Sequence, residues 1–362
     1  MPASLDKPIS SLVDGMMPRI AMMTAGVVIA AILVVAGDVL LDRDLLYKYA
    51  PDLTVVGWMR KAVTASVALL FFLALRPSDA SRRAVFGEPR VATIVAVTTF
   101  CMAVMLILSA IAVATIPHEI GNLVREGKPL SIKTEVVFVI ALGFLLHTAW
   151  VGRHLVDPRF FGISPRLAIW GMFGVAFLIV MEEMSWGQHW IGWEAGEVFA
   201  ANEQNETNLH NFATHRFEAV YYTTAFFLFV ILPWAWPRAP HPRLAPLAVF
   251  VPPPGLALAG VALSGLWYND WNIVPYQIWF FLGLLVAADL MRTMTGTWRL
   301  SGLFMIALIV GTQALFLMLG GGMEDGHEFS EVREFLIAML VAVYALLLNG
   351  RIRRWVAAPV PR

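Results

Sequence analysis

The residues best suited to chemistry lie in one polar stretch: Glu182, Glu183, Ser185, Trp186, Gln188 and His189, continuing to Glu206, Thr207, Asn208, His210, Asn211 and His215. Positions 182 to 218 hold seven acidic residues, three of the eight histidines and three tryptophans. Carboxylates and imidazoles are proton-transfer groups and metal ligands. On a continuous helix Glu182, Trp186, His189 and Trp193 share one face. Glu206 and His210, four apart, would face the same way if helical. A second cluster, Glu324, Asp325, His327, Glu328, Glu331 and Glu334, contains Glu324 and His327 at the Glu-x-x-His spacing of carboxylate-bridged metal sites. Asp325 and Glu328 equally fit a helix capping box.

The chemistry this suggests is metal-assisted hydrolysis. Glu183, His189, Glu206 and His210, with His327, would hold a divalent zinc, iron or manganese ion. The metal would acidify a bound water, and Glu182 or Glu331 would act as base. Ser185, Trp186, Gln188, Asn208, Asn211 and Glu334 would support them. Each group also has a structural reading. The tryptophans suit a membrane interface, Asn208 or Asn211 could cap the next helix, and the acids could pair with cations, Glu182 with Arg333 or Glu218 with Arg216.

The elements that must position these groups are membrane helices. Of 362 residues, 59% are hydrophobic and 14% charged, and the mean hydropathy is +0.70. Soluble domains carry about 25% charged residues. Ten apolar runs approach the length of about 20 residues that a span needs: 20–41, 55–75, 91–116, 134–152, 167–186, 216–236, 247–267, 273–291, 301–320 and 331–350. The reading is an all-α polytopic bundle forming one integral-membrane domain over 1–362, with a re-entrant or surface-helical outer loop at 187–215. The run 20–41 is too long for a signal-peptide core and reads as an uncleaved anchor. Pro252, Pro253, Pro254 and Gly255 make the seventh run short or broken. Trp267 to Asn272 reads as an interfacial turn with aromatic anchors. Zero net charge gives no bulk attraction to nucleic acid. Cys101 is the only cysteine, so no disulfide can form within the chain.

Lys and Arg collect in cytoplasmic loops. With both termini cytoplasmic, 17 of the 26 basic residues fall inside, whereas 20 of the 26 acidic ones fall outside or at the outer membrane edge. The expected location is a bacterial inner membrane. Counting along the spans puts Glu182, Glu183, Glu218, Glu331 and Glu334 at one depth in the outer leaflet, with Asp38 in the last turn of the first span. A carboxylate at mid-bilayer costs roughly 2.5–3.5 kcal/mol on insertion scales, less near the edge. The outer ends of spans five, six and ten are therefore expected to converge on one cavity. A substrate at that depth would be a membrane lipid or a lipid-linked molecule.

The run Glu182-Glu183-Met184-Ser185-Trp186-Gly187-Gln188 with Glu206-Thr207-Asn208-Leu209-His210-Asn211 resembles the signature of an uncharacterised bacterial family of polytopic membrane proteins. That resemblance covers the 182–211 core and the acidic start of the last span, and implies a shared fold without an activity. A more distant similarity is to the ceramidase and progestin-receptor superfamily of membrane hydrolases, through Glu206, Asn208 and His210. Those proteins have seven spans, against ten here, and a late histidine pair where this chain has His327 alone. Two other functions fit the residues. A lipid-linked glycosyl transferase would use Asp42 and Asp44 in the first outer loop. A transporter or assembly component would carry ion-paired acids within the membrane.

Overall fold

The computed structural model of the protein describes residues 9–41, 48–125, 127–159, 162–194, 196–199, 206–209, 212, 214–242, 244–323 and 329–357. Among these the fold is all-α, with no β-sheet. Ten segments run between the two ends of the bundle: α1 (Ile9–Leu41), α2 (Val55–Leu75), α3 (Pro89–Thr115), α4 (Pro129–Val151), α5 (Pro165–Glu183), α6 (Thr214–Phe226, continuing through Phe227–Ile231 and Leu232–Ala235), α7 (Leu256–Gly260), α8 (Val274–Met291), α9 (Gly296–Leu319) and α10 (Ser330–Ala357). Nine of them, all but α7, are long and apolar enough to cross a membrane. The protein is thus a multi-pass membrane helical bundle.

Helix starts follow local chemistry. Thr54 and Ser164 cap α2 and α5 by accepting from the amides of Gly57 and Leu167. Pro89, Pro129 and Pro165 open α3, α4 and α5, where a missing amide hydrogen is harmless. Within α6, Pro233 cannot donate, and its ring crowds the carbonyl four residues back, at Phe229. The helix widens there into a π turn over Phe227–Ile231.

The seventh segment is broken, as the proline run requires. It enters beside the α2–α3 loop, where Gly255 donates its amide to the Val85 carbonyl at 2.8 Å and Arg83 reaches the Pro252 carbonyl at 3.3 Å. Burial, and then repulsion from Arg351, lowers the Arg83 guanidinium to about 10. The segment leaves at the other end of the bundle, where the Tyr49 amide donates to the Asn269 carbonyl and Asn272 caps the Ala50 carbonyl. It crosses as α7 followed by a 3-10 turn, Val261–Ser264. Every residue from Val251 to Trp267 is buried. A helix that is apolar all round belongs in the core. Gly260 is needed because a Cβ there would meet the Phe229 carbonyl oxygen at 2.7 Å.

Trp267 to Asn272 is not the interfacial turn its composition suggests. Trp267, Asp270, Trp271 and Asn272 are all at most 2% exposed. Trp267 stacks on Tyr276 with ring centroids 4.2 Å apart. The loop is held inside by polar partners: Gln313 accepts from the Trp267 amide and donates to its carbonyl, and Asn272 accepts from Arg60.

The two ends differ in charge. One end carries Glu182, Glu183, Glu218, Glu331 and Glu334. The other carries Arg76, Arg82, Arg83, Arg292, Arg351, Arg353 and Arg354. Reporter fusions at residues 85 and 240 are expected to be cytoplasmic, and one near 200 external. A cytoplasmic label at 200 would reverse the assignment of the acidic end.

Candidate functional site

Spans five, six and ten converge at the acidic end. The last turn of α5 brings Glu182 and Glu183, the first turns of α6 bring Glu218 and Tyr221, and the start of α10 brings Ser330, Glu331 and Glu334. Together with Ser131, Trp186, Leu209 and Phe217 they line a chamber of about 460 Å³. It contains five carboxylates, and among the described residues lining it there is no Lys, Arg or His.

The chamber is flanked by a buried network that joins helices distant in sequence. Lys48 lies 2.7 Å from Glu218 and 3.9 Å from Asp270. Arg333, 2% exposed, pairs with Asp270 at 2.5 Å and donates to the Leu266 carbonyl at 2.7 Å. Its guanidinium lies over the Trp267 ring, 4.2 Å from the centroid. Tyr222 donates to Glu334 at 2.8 Å. The expected pairings were different: Glu218 meets Lys48 in place of Arg216, and Arg333 meets Asp270 in place of Glu182. Arg333 points into the protein beneath the loop after α7, which only the tertiary fold brings to it.

The signature residues form a clamp on the chamber wall. Both carboxylate oxygens of Glu182 accept hydrogen bonds, from the Trp186 indole at 2.8 Å and the Leu209 amide at 2.7 Å. Gln188 accepts from the Thr207 amide at 2.6 Å. Ser185, wholly buried, donates to Glu206 at 2.9 Å. Asn208 donates to both, at 2.9 and 2.8 Å. Trp190 donates to the buried Glu135 of α4. These bonds tie 206–209 to the end of α5 and hold Trp186 and Leu209 in the chamber lining.

The clamp also explains the backbone. Ser185, Trp186 and Gly187 have φ of 44°, 55° and 88°. A left-handed conformation costs a non-glycine residue roughly 1–2 kcal/mol, and it persists where surrounding contacts over-determine it. This turn ends α5 at Glu183, so the shared helical face of Glu182, Trp186, His189 and Trp193 does not form. Past it the chain makes single turns at Gln188–Ile191 and Glu197–Phe199. Residues 206–209 are not helical, and His210, the expected partner of Glu206, lies outside the described residues. The Asn208 amide nitrogen is committed to Ser185 and Glu206.

Of the residues expected at the site, Glu182, Glu183, Trp186, Glu331 and Glu334 line the chamber. Ser185, Gln188, Glu206 and Asn208 belong to the clamp. The side chain of His189, and all of His210, Asn211 and His327, lie outside the described residues, as do Glu324, Asp325, Glu328, Asp42 and Asp44. The side chain of Asp38 does too. Among the described residues no group of three or more His, Cys, Asp and Glu is arranged to hold a metal ion. His147 lies 2.7 Å from Asn349 in a contact between α4 and α10, consistent with a structural histidine.

The ion pairs of three buried charged groups were not legible in the sequence. Lys48, Asp270 and Asp289 are each separated from their partners by tens to hundreds of residues. A membrane-depth charge in a highly apolar run was the available signal for Asp289. Compared with family models, curated proteins and solved structures, the chain gives no match.

Proposed function

We propose that the protein is a transporter or assembly component of the membrane whose outer-leaflet carboxylate chamber takes up protons or organic cations. The observation that carries this reading is the set of five glutamates lining one chamber of about 460 Å³. Carboxylates sharing a confined, partly desolvated space repel one another, and a proton or a cation relieves that repulsion. Lys48 and Arg333 balance Glu218 and Asp270 at its edge, and the clamp holds the wall, so the chamber is preorganised.

The test uses the full chain in lipid nanodiscs. Tetramethylammonium is expected to bind saturably and to release protons into a weakly buffered medium. Glu183→Gln and Glu331→Gln should each weaken binding at least tenfold, about 1.4 kcal/mol, with thermal stability retained. Absence of saturable binding and of proton release between pH 5 and 9 would overturn the proposal.

A further inference from the structure

A second cavity lies directly below the carboxylate chamber. It is about 620 Å³ and almost wholly apolar, between α4, α5, α6 and α10. Ile179 and Tyr221 line both spaces, so the two meet there. The volume is in the range of about 300–1,000 Å³ typical of small-molecule sites. Its length is set by α6, which lines it from Tyr221 to Trp236. Fifteen residues at about 1.5 Å rise make roughly 22 Å, longer than one leaflet of a hydrocarbon core about 30 Å thick. Such a cleft suits an extended chain.

Two more observations point to a ligand. The hydroxyl of Tyr221, a residue common to both linings, is buried and has no hydrogen-bond partner among the described residues. A buried polar group left unpaired costs about 1–3 kcal/mol, which a ligand atom at the junction would recover. The cleft also opens sideways to the lipid between α5 and α6, where the lining residues Val175 and Leu228 are 60% and 39% exposed. A molecule dissolved in the bilayer can reach it without crossing water.

We propose that the two cavities form one site for a single-chain amphiphile bearing a protonated amine. The chain fills the apolar cleft and the ammonium group sits among the glutamates, donating a hydrogen bond to the Tyr221 oxygen. The apolar lining excludes a polar occupant, and the excess of carboxylates over the single Lys48 at Glu218 among the described residues disfavours a phosphate or carboxylate head. This assignment rests on the chamber being a cation site.

The probe is hexadecylamine brominated at its terminal carbon, added to the full chain in phosphatidylcholine nanodiscs. Bromine quenches nearby indoles, and Trp236 lines the far part of the cleft. Saturable quenching is expected, and Trp236→Phe should remove most of it. Gly171→Leu combined with Ala176→Leu should weaken it at least tenfold by filling the cleft. A Cβ at Gly171 meets no atom within 4 Å, so that change is compatible with the fold. The brominated alcohol should bind at least tenfold more weakly than the amine. Equal quenching by amine and alcohol, or indifference to the cleft-filling pair, would mean bulk lipid contact only and overturn the assignment. If tetramethylammonium still binds in that case, the chamber reading survives. If neither cation binds, both fail.

Discussion

Asp289→Ala is expected to destabilise the protein by about 3–5 kcal/mol, the usual loss when one partner of a buried ion pair is removed. Asp289 lies in α8 and is 2% exposed. Its two oxygens accept from Arg82 at 2.7 and 2.9 Å, from Arg76 at 2.9 Å and from the Trp234 indole at 2.8 Å. The Asp289 carboxylate holds the Arg82 guanidinium above its ordinary value. The aspartate therefore joins the loop after α2, the end of α6 and α8 at the arginine-rich end. Alanine removes the carboxylate shared by Arg76 and Arg82 and leaves Arg82 with Asp79, which is itself exposed. Asp289→Asn keeps the shape and one acceptor, and should lose less. Unfolding in mixed micelles by titration with a denaturing detergent reads the difference. A loss below about 1 kcal/mol for the alanine variant would show that water or lipid headgroups replace the carboxylate.

The second large effect is expected at Arg333. Arg333→Leu should also lose about 3–5 kcal/mol, because among the described residues Asp270 then keeps only Lys48 at 3.9 Å. The Leu266 carbonyl loses its donor as well. Leu266 has φ of 68°, and Arg333 and Gln313 hold it and Trp267 in place. Tryptophan fluorescence should shift as the stack of Trp267 on Tyr276 loosens. Arg333→Lys should fall between wild type and leucine, since an ammonium group cannot reach both acceptors as a planar fork or lie flat on the indole. Combining Arg333→Leu with Asp270→Leu should lose less than the two single changes together, with a coupling of about 0.5–3 kcal/mol. Strict additivity would show that the two groups stabilise the fold separately.

Much of the architecture was legible from residue types. Long apolar runs have one stable solution in a bilayer, the helix, because every backbone amide must be satisfied within its own segment. The nine long spans follow, and so does the broken seventh, since three successive prolines cannot join a helical ladder. Counting residues from the span ends also placed Glu182, Glu183, Glu218, Glu331 and Glu334 at one depth, and they do line one chamber. Depth is a one-dimensional quantity, fixed by rise per residue.

Which group faces which is not one-dimensional. Lys48 with Glu218, Asp270 with Arg333, and Arg82 with Asp289 join residues 170, 63 and 207 positions apart, and helical spacing relates only positions on one helix. The left-handed turn at Ser185 and Trp186 was equally hidden. Only Gly187 tolerates such a backbone by its own chemistry, while its neighbours are held there by Glu206, Asn208 and Glu182. The apolar cleft left no trace in the sequence either. Leu, Val and Phe on a membrane helix look alike whether they face lipid, protein or a cavity, because all three surroundings are equally apolar. Only the packing of α5 away from α6 decided that this face encloses a space.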